Sequence, residues 1–334
     1  MNISNDSSTT KYEANPLALP AEPAVIITVA VLSIAGNLLV VVVTTRRKTF
    51  PTTSRLFVFS LAWSDLLIGS TFPVLVAPAR AGHWVYSNTA AQAIAVIQYS
   101  CLVLRLPSLA GLNLDRLYAL LNGGEGISFK KAVALLTVAW VGTFAWFIFS
   151  TIYGVTAAYD PVIARPDFDF GSHMWFSAVS FGIVFLSLAV TIYCVVRILR
   201  TLCTKQQPPV AQVPAIVVIN VNGVQNANPQ HAAAANNRSY AKTVLLLTLA
   251  HTVTPLPAFV AFVLRQSGYV MPTYLFWSNW IALFVTFLDV VVYSVCQQSF
   301  YTAIGEIAMS IATGLYMVCC RENRVNADLV NQSL

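Results

Sequence analysis

The sequence predicts an all-α membrane protein: a seven-transmembrane helix bundle with a short amphipathic helix on the inner leaflet. Three observations predict it. The 334-residue chain is 57% hydrophobic and 10% charged, where a soluble domain carries roughly 25% charged residues, so most of its surface has to face lipid. Seven stretches are apolar over the ~20 residues needed to cross hydrocarbon. Lys and Arg cluster on alternate connections, the asymmetry that orients membrane helices.

Residues 1–23 read as an extracellular tail. They lack the basic block and apolar core of a cleavable signal peptide. Asn2-Ile3-Ser4 and Asn5-Asp6-Ser7 are sequons, with Asn2 and Asn5 the glycosylation candidates. The bundle is expected over 24–296, with spans at 24–45, 56–79, 89–120, 131–153, 174–199, 241–264 and 272–296. The third span is the longest and most polar, so it belongs inside, shielded by the others. Arg46, Arg47, Lys48 and Arg55 flank the first connection, Lys130 and Lys131 the third, and Arg197, Arg200, Lys205, Arg238 and Lys242 the fifth. Arg321 and Arg324 follow the seventh span, while the opposite side carries only Lys11, Arg80, Arg165 and Arg265. The expected placement is multi-pass in the plasma membrane, amino terminus outside and carboxyl terminus inside.

Residues 201–240 are rich in Pro, Gln, Asn and Ala and read as a flexible cytoplasmic loop. Val213–Ile219 is apolar but too short to span. Residues 297–334 form the last segment. From Phe300 to about Thr313, Ile304, Ile307, Ala308 and Ile311 share one helical face, as suits a helix lying on the inner leaflet among membrane lipids. Cys319 and Cys320 are palmitoylation candidates; two unmodified tail cysteines are the alternative. The six cysteines show neither metal-finger spacing nor a disulfide framework, so no metal site is implied.

The chemistry concentrates in the third span. Gln98 and Arg116 are 18 positions apart, about five helical turns, and Arg105 lies about 20° off the same line. Leu102, Leu109 and Leu112 fill between them. A face with three strongly polar groups looks into the bundle. Ionisable groups in hydrocarbon are costly and mark function. Asp65 and Asp289 lie at depths comparable to Arg105, so Asp65, Arg105 and Asp289 are expected to form a buried ionic cluster. It is either a static tie between helices or a centre whose pairing differs between two states. Asn37 and Asn113 extend the polar seam, since amides in hydrocarbon bond across helices. Pro255 and Pro257 break the sixth span and form a candidate pivot, and His251, one turn inward, reads as a satisfied interior group. Gln98, Tyr99, Leu102, Phe259, Phe276, Asn279 and Trp280 mix apolar walls with few polar groups, as a small-molecule pocket does.

In order and spacing these residues resemble the rhodopsin-like (class A) G-protein-coupled receptors, over about 24–320. The resemblance rests on Gly36-Asn37, on Leu61-Ala62-Trp63-Ser64-Asp65-Leu66, and on Trp84, Trp140 and Tyr193. Pro257 follows Lys242-Thr243 in the sixth span. Asp115-Arg116-Leu117 stands where the family has Asp-Arg-Tyr, and Asp289-Val290-Val291-Val292-Tyr293 where it has Asn-Pro-x-x-Tyr, with Phe300 following. The resemblance implies an extracellular ligand, a heterotrimeric G protein as partner, and outward movement of the sixth span. It makes Asp115, Arg116, Tyr193 and Tyr293 the G-protein switch.

The departures matter too. Ala91 stands in place of the family's outer cysteine, and residues 154–173 contain none, so the usual disulfide is absent. Pro255 replaces a tryptophan, and Phe185 and Val290 replace prolines. Gln98 replaces the aspartate that binds amines, which points to a small, non-aminergic ligand. No lysine lies in the seventh span, so retinal has no attachment point as in opsins, and no cofactor is implied. Arg105 stands near the place of a bound sodium ion in relatives, and its guanidinium is expected to substitute for that ion. Two other readings stay open: a transporter or channel using Asp65, Arg105 and Asp289, or a receptor-like protein that no longer signals. Without a zinc motif, phosphate loop or nucleophile elbow the chain does not read as an enzyme, nor as a nucleic-acid binder.

Overall fold

The structure, a computed structural model, describes residues 21–46, 49–204, 229–269, 271–310 and 312–313. Among these, seven helical segments are long and apolar enough to cross a membrane. They are α1 (Ala21–Arg46), α2 (Thr52–Ala81), α3 (Asn88–Leu121), α4 (Phe129–Ile152), α5 (Met174–Thr204), the sixth span made of α6 (Pro229–Val253) and α7 (Leu256–Gln266), and α8 (Pro272–Cys296). A further helix, α9, covers 298–310. The seven-helix fold expected from composition is the one observed.

Local chemistry sets the boundaries. Ser87 caps α3, its hydroxyl accepting from the Ala90 N–H, which satisfies one of the donors a helix start leaves unpaired. α2 ends at Gly82, whose φ of 69° lies in the left-handed region that favours glycine. The sixth span breaks between Val253 and Leu256, where Pro255 and Pro257 each remove a backbone donor. Pro73, Pro78 and Pro107 sit inside unbroken helices.

α3 takes the central position, packing against α2, α4, α5 and α6. The most apolar window of α3 is 61% buried, against 17% in α4, whose other faces are left to lipid. The inner half of the core gathers Phe57, Leu61, Leu109, Leu112, Val244 and Tyr293. The outer half gathers Ile68, Phe72, Leu75, Phe276 and Trp280. The expected cross-helix amides are present. Asn37 Nδ2 donates to Thr286 O at 2.6 Å, and Asn113 Nδ2 to Thr248 Oγ1 at 2.8 Å.

The connection between α4 and α5 holds a hairpin that the sequence does not signal: β1 (Ala157–Asp160) and β2 (Arg165–Phe168) pair antiparallel, Ala157 opposite Phe168 and Asp160 opposite Arg165. One expectation needs correction. The segment 201–240 is not all loop. α5 continues to Thr204 and α6 starts at Pro229, because proline opens a helix well and the alanines at 232–235 propagate it. α9 is the short helix expected after the seventh span, with Ala303, Ile304 and Ile307 turned toward the core and Ala308 exposed. Asn2, Asn5, Cys319 and Cys320 lie outside the described residues, as do 205–228 of the loop.

The contact between α2 and α3 has no spare room. A Cβ placed on Gly111 would overlap the Phe57 ring. Gly111→Val is therefore expected to destabilise the bundle by about 1–3 kcal/mol, the usual cost of overpacking. A lowered thermal midpoint in detergent, recovered in part by adding Phe57→Leu, is the measurement.

Candidate functional site

The third helix carries its polar residues at three depths. At mid-membrane, Arg105 Nη1 lies 3.0 Å from Asp65 Oδ1, joining α3 to α2. Their side chains are 3% and 0% exposed. The contact is an ion pair without hydrogen-bond alignment, and neither Asp65 oxygen has an aligned donor among the described residues. Contrary to the expected three-membered cluster, Asp289 pairs with His251 and not directly with Arg105. His251 stands between them: its Nε2 is 2.5 Å from Asp289 Oδ1, and Arg105 Nη2 is 3.4 Å from both ring nitrogens. The cluster thus has four members, and the sequence reading missed one. A depth count held the signal, since His251 lies ten positions from the expected inner edge of its span and Asp65 about nine from its own.

At the inner end, Arg116 donates to Asp115 Oδ2 from Nη2 at 2.6 Å and from Nε at 3.2 Å. Asp115 also accepts from the Ser54 hydroxyl and, at 3.0 Å, from the Ile127 N–H. A Cβ on Gly126 would overlap Asp115 Oδ1, so only glycine lets this loop close over the carboxylate. The Arg116 guanidinium lies over the Tyr240 ring of α6, 5.0 Å from its centroid, a cation–π contact that strengthens where water is excluded.

Tyr293 is buried against Phe50 and Phe300, with centroids 5.1 and 5.8 Å away. Tyr193 is not part of this group. It is 57% exposed, because on α5 it is Thr191, Cys194 and Ile198 that turn inward. Tyr240 takes the place beside Arg116 that the family pattern led one to give Tyr193.

At the outer end, the residues expected to line an open pocket lie under the β1–β2 hairpin. Gln98 Nε2 donates to Thr71 Oγ1 at 2.8 Å. Arg165, at the start of β2, reaches inward. Its Nη2 donates to the Tyr99 hydroxyl at 2.8 Å and its Nη1 to Gln98 Oε1 at 3.4 Å, with the guanidinium over the Tyr99 ring. Tyr99 in turn donates to Asp167. Trp280 Nε1 donates to Ile163 O at 3.1 Å, and Phe276 and Trp280 pack with Ala164 and Leu102. Asn279 keeps a buried Nδ2 without a hydrogen-bond partner among the described residues. Phe259 leaves the set, being 55% exposed on the outside of the bundle.

Three open volumes are lined by other residues. One cavity of about 570 Å³ sits between the hairpin and α7, lined by Asp160, Asp167, Phe168, Phe170 and Phe262. Another, of about 560 Å³, lies between the α2–α3 connection and the hairpin, beside His83, Trp84, Gln92 and Tyr159. A third, of about 490 Å³, is an apolar groove on the lipid side of α3, α4 and α5, floored by Pro107, Gly111 and Gly142.

The family model described as 7 transmembrane receptor (rhodopsin family) matches residues 36–320. A rhodopsin of Cambarus hubrichti is 25% identical over 278 residues, covering 79% of this chain and 89% of that protein. A rhodopsin of Lacunicambarus ludovicianus is 24% identical over the same length. The crystal structure of squid rhodopsin superposes with a TM-score of 0.74 at 18% identity, covering 88% of this chain and 86% of that one.

Burial pushes the Asp167 carboxyl above its ordinary value; Arg165 and the Tyr99 hydroxyl pull it back only in part. An undocked hairpin returns the group to the ordinary value, about 4. The docked hairpin therefore binds the proton more tightly, and docking gains stability as pH falls through the raised value. Hydrogen exchange of residues 157–168, corrected for intrinsic rates, is expected to slow as pH falls from neutral toward the ordinary carboxylate value, and Asp167→Asn to remove the trend. Corrected exchange that speeds up on acidification contradicts it.

Proposed function

The chain belongs to the rhodopsin family of seven-transmembrane receptors, and on that premise we propose how its polar face carries a signal. It is a G-protein-coupled receptor and a multi-pass membrane protein; the family is one of receptors, not of enzymes. Nothing observed speaks for a transporter or channel. The proposed placement is the plasma membrane with the amino terminus outside, which the Lys and Arg distribution supports. On the same orientation Asn2 and Asn5 are glycosylation candidates and Cys319 and Cys320 palmitoylation candidates.

One observation carries the reading. Arg116, buried at the inner end of α3, is held by Asp115 on one side and covered by Tyr240 of the sixth span on the other. Outward movement of α6 takes Tyr240 off the guanidinium and opens it toward the cytosol, where a heterotrimeric G protein docks. Tyr293, next to Phe50 and Phe300, follows the same displacement from α8. Pro255 and Pro257 supply the pivot. A small, non-aminergic extracellular ligand acts at the outer end, where Gln98, Tyr99, Leu102, Phe276, Asn279 and Trp280 lie under the hairpin and become reachable when it lifts. Binding outside and docking inside are then coupled through the two states each prefers. α8 carries no lysine, so covalent retinal is not the proposed ligand despite the rhodopsin likeness.

Arg116→Ala is expected to reduce G-protein activation in transfected cells to the level of untransfected controls at equal surface expression. Ion or solute flux without nucleotide exchange would instead return the transporter reading. A second outcome follows from Arg105, whose guanidinium sits 3.0 Å from Asp65 where a cation would otherwise balance that carboxylate. Exchanging sodium for potassium is expected to leave thermal stability and basal signalling unchanged. A sodium effect that vanishes in Asp65→Asn overturns this substitution of Arg for the ion.

A further inference from the structure

We infer that His251 is the positioning residue that holds the sixth span closed, by occupying Asp289 in competition with Arg105. The inference deepens the receptor reading above and rests on it for its signalling consequence alone.

The chemistry of the contact restricts what His251 does. An ionised carboxylate only accepts hydrogen bonds, so the ring nitrogen 2.5 Å from Asp289 Oδ1, Nε2, carries a hydrogen. Arg105 Nη2 lies 3.4 Å from both ring nitrogens, and Nδ1 is the one left to accept from it. The imidazole bridges a cation on α3 and an anion on α8, and among the described residues it is the only part of α6 within this cluster. Asp289 depends on it: Oδ2 has no partner among the described residues, and its side chain is 2% exposed.

Leaving such a carboxylate bare in hydrocarbon is costly, and Arg105 is the cation that contacts the same His251 ring. When His251 withdraws, Arg105 takes over Asp289 while keeping Asp65 within reach. Two pairings of the same four groups therefore exist, and α6 is docked in one of them only.

The position of His251 gives the exchange leverage. His251 lies near the top of α6, three residues below Thr254 in the helix break, while Tyr240 lies fourteen residues below Thr254. At 1.5 Å per residue these arms are about 4.5 and 21 Å, so a slip of about 1 Å at His251 carries Tyr240 about 4–5 Å. A small change of partner at mid-membrane becomes a displacement large enough to uncover Arg116.

The test uses the full-length receptor in membranes. An environment-sensitive fluorophore is placed through Lys242→Cys, at an exposed position near the inner end of α6, in a background carrying Cys203→Ser, Cys319→Ser and Cys320→Ser. Basal nucleotide exchange is read in parallel on a panel of G proteins. His251→Phe keeps a ring of similar size and cannot donate; it is expected to shift the fluorophore signal and to raise basal exchange about fivefold or more, the lower end of coupling between linked sites. His251→Gln restores a donor and is expected to resemble the parent. Adding Asp289→Asn removes the carboxylate that needs a partner and should abolish the increment caused by His251→Phe.

An unmoved fluorophore in His251→Phe, equal effects of Phe and Gln, or an increment that survives Asp289→Asn each overturns the inference. A fluorophore shift with no exchange on any G protein upholds the His251 hold and refutes the signalling reading instead.

Discussion

A guanidinium in the middle of a bilayer needs an anion, and the Arg105–Asp65 contact is the constraint on which the rest of the arrangement depends. An unaccompanied Arg at the centre of a span costs about 2.5–3.5 kcal/mol on insertion scales. Losing one member of a buried pair costs about 3–5 kcal/mol. The pair stands at 3.0 Å with side chains 3% and 0% exposed, so α3 has one rotation and one depth relative to α2. Once that is set, Gln98 faces the outer end and Arg116 the inner end of the same helix face. A buried ion pair is weak evidence for net stability, and its value here lies in register.

Asp65 and Arg105 also explain why the neighbouring spans converge. Asp289 adds a second buried carboxylate at the same depth, and one guanidinium does not satisfy both. His251 resolves the mismatch from a fourth helix. The polar centre thus ties α2, α3, α6 and α8 together, while α4 and α5 join the bundle through apolar packing and the Trp140–Ser60 and Trp146–Ser180 hydrogen bonds. The helices with charge at the centre are those whose relative motion has the largest electrostatic consequence.

The sequence made the helices legible because apolar length and charge asymmetry are local properties. It made the α3 face legible because helical periodicity relates Gln98, Arg105 and Arg116 without any tertiary information. Rotation of the other helices was less accessible. Tyr193 matched a family motif by spacing, yet the packing of Thr191, Cys194 and Ile198 turns it outward. Phe259 faces outward for the same kind of reason, with Ala261 on the buried side of α7. The hairpin was invisible because Ala157–Asp160 and Arg165–Phe168 are too short to show alternation. Its inward residue, Arg165, reads in sequence as an ordinary outer-loop cation. His251 was underrated because a single histidine in an apolar run is usually inert, and only the spare carboxylate of Asp289 gives it a task.

The missing outer disulfide acquires a physical sense from the hairpin. In its place, Arg165 bonds Gln98 and Tyr99, Tyr99 bonds Asp167, and Phe168 packs among Phe147, Phe170 and Phe176. These contacts are reversible, and they end on Gln98 and Tyr99, one to two turns above Arg105 on α3. A covalent tether holds a loop near its site whatever the loop does there. A docked guanidinium instead ties the position of the loop to the polar face of α3 itself. Lifting the hairpin leaves Gln98 and Tyr99 without Arg165, which favours any movement of α3 that finds them new partners. Arg105 lies on the same rigid helix and is shared between Asp65 and the His251–Asp289 pair. On the proposed reading, this chain replaces the fixed outer tether of its family with a second exchangeable contact, in series with the one at mid-membrane.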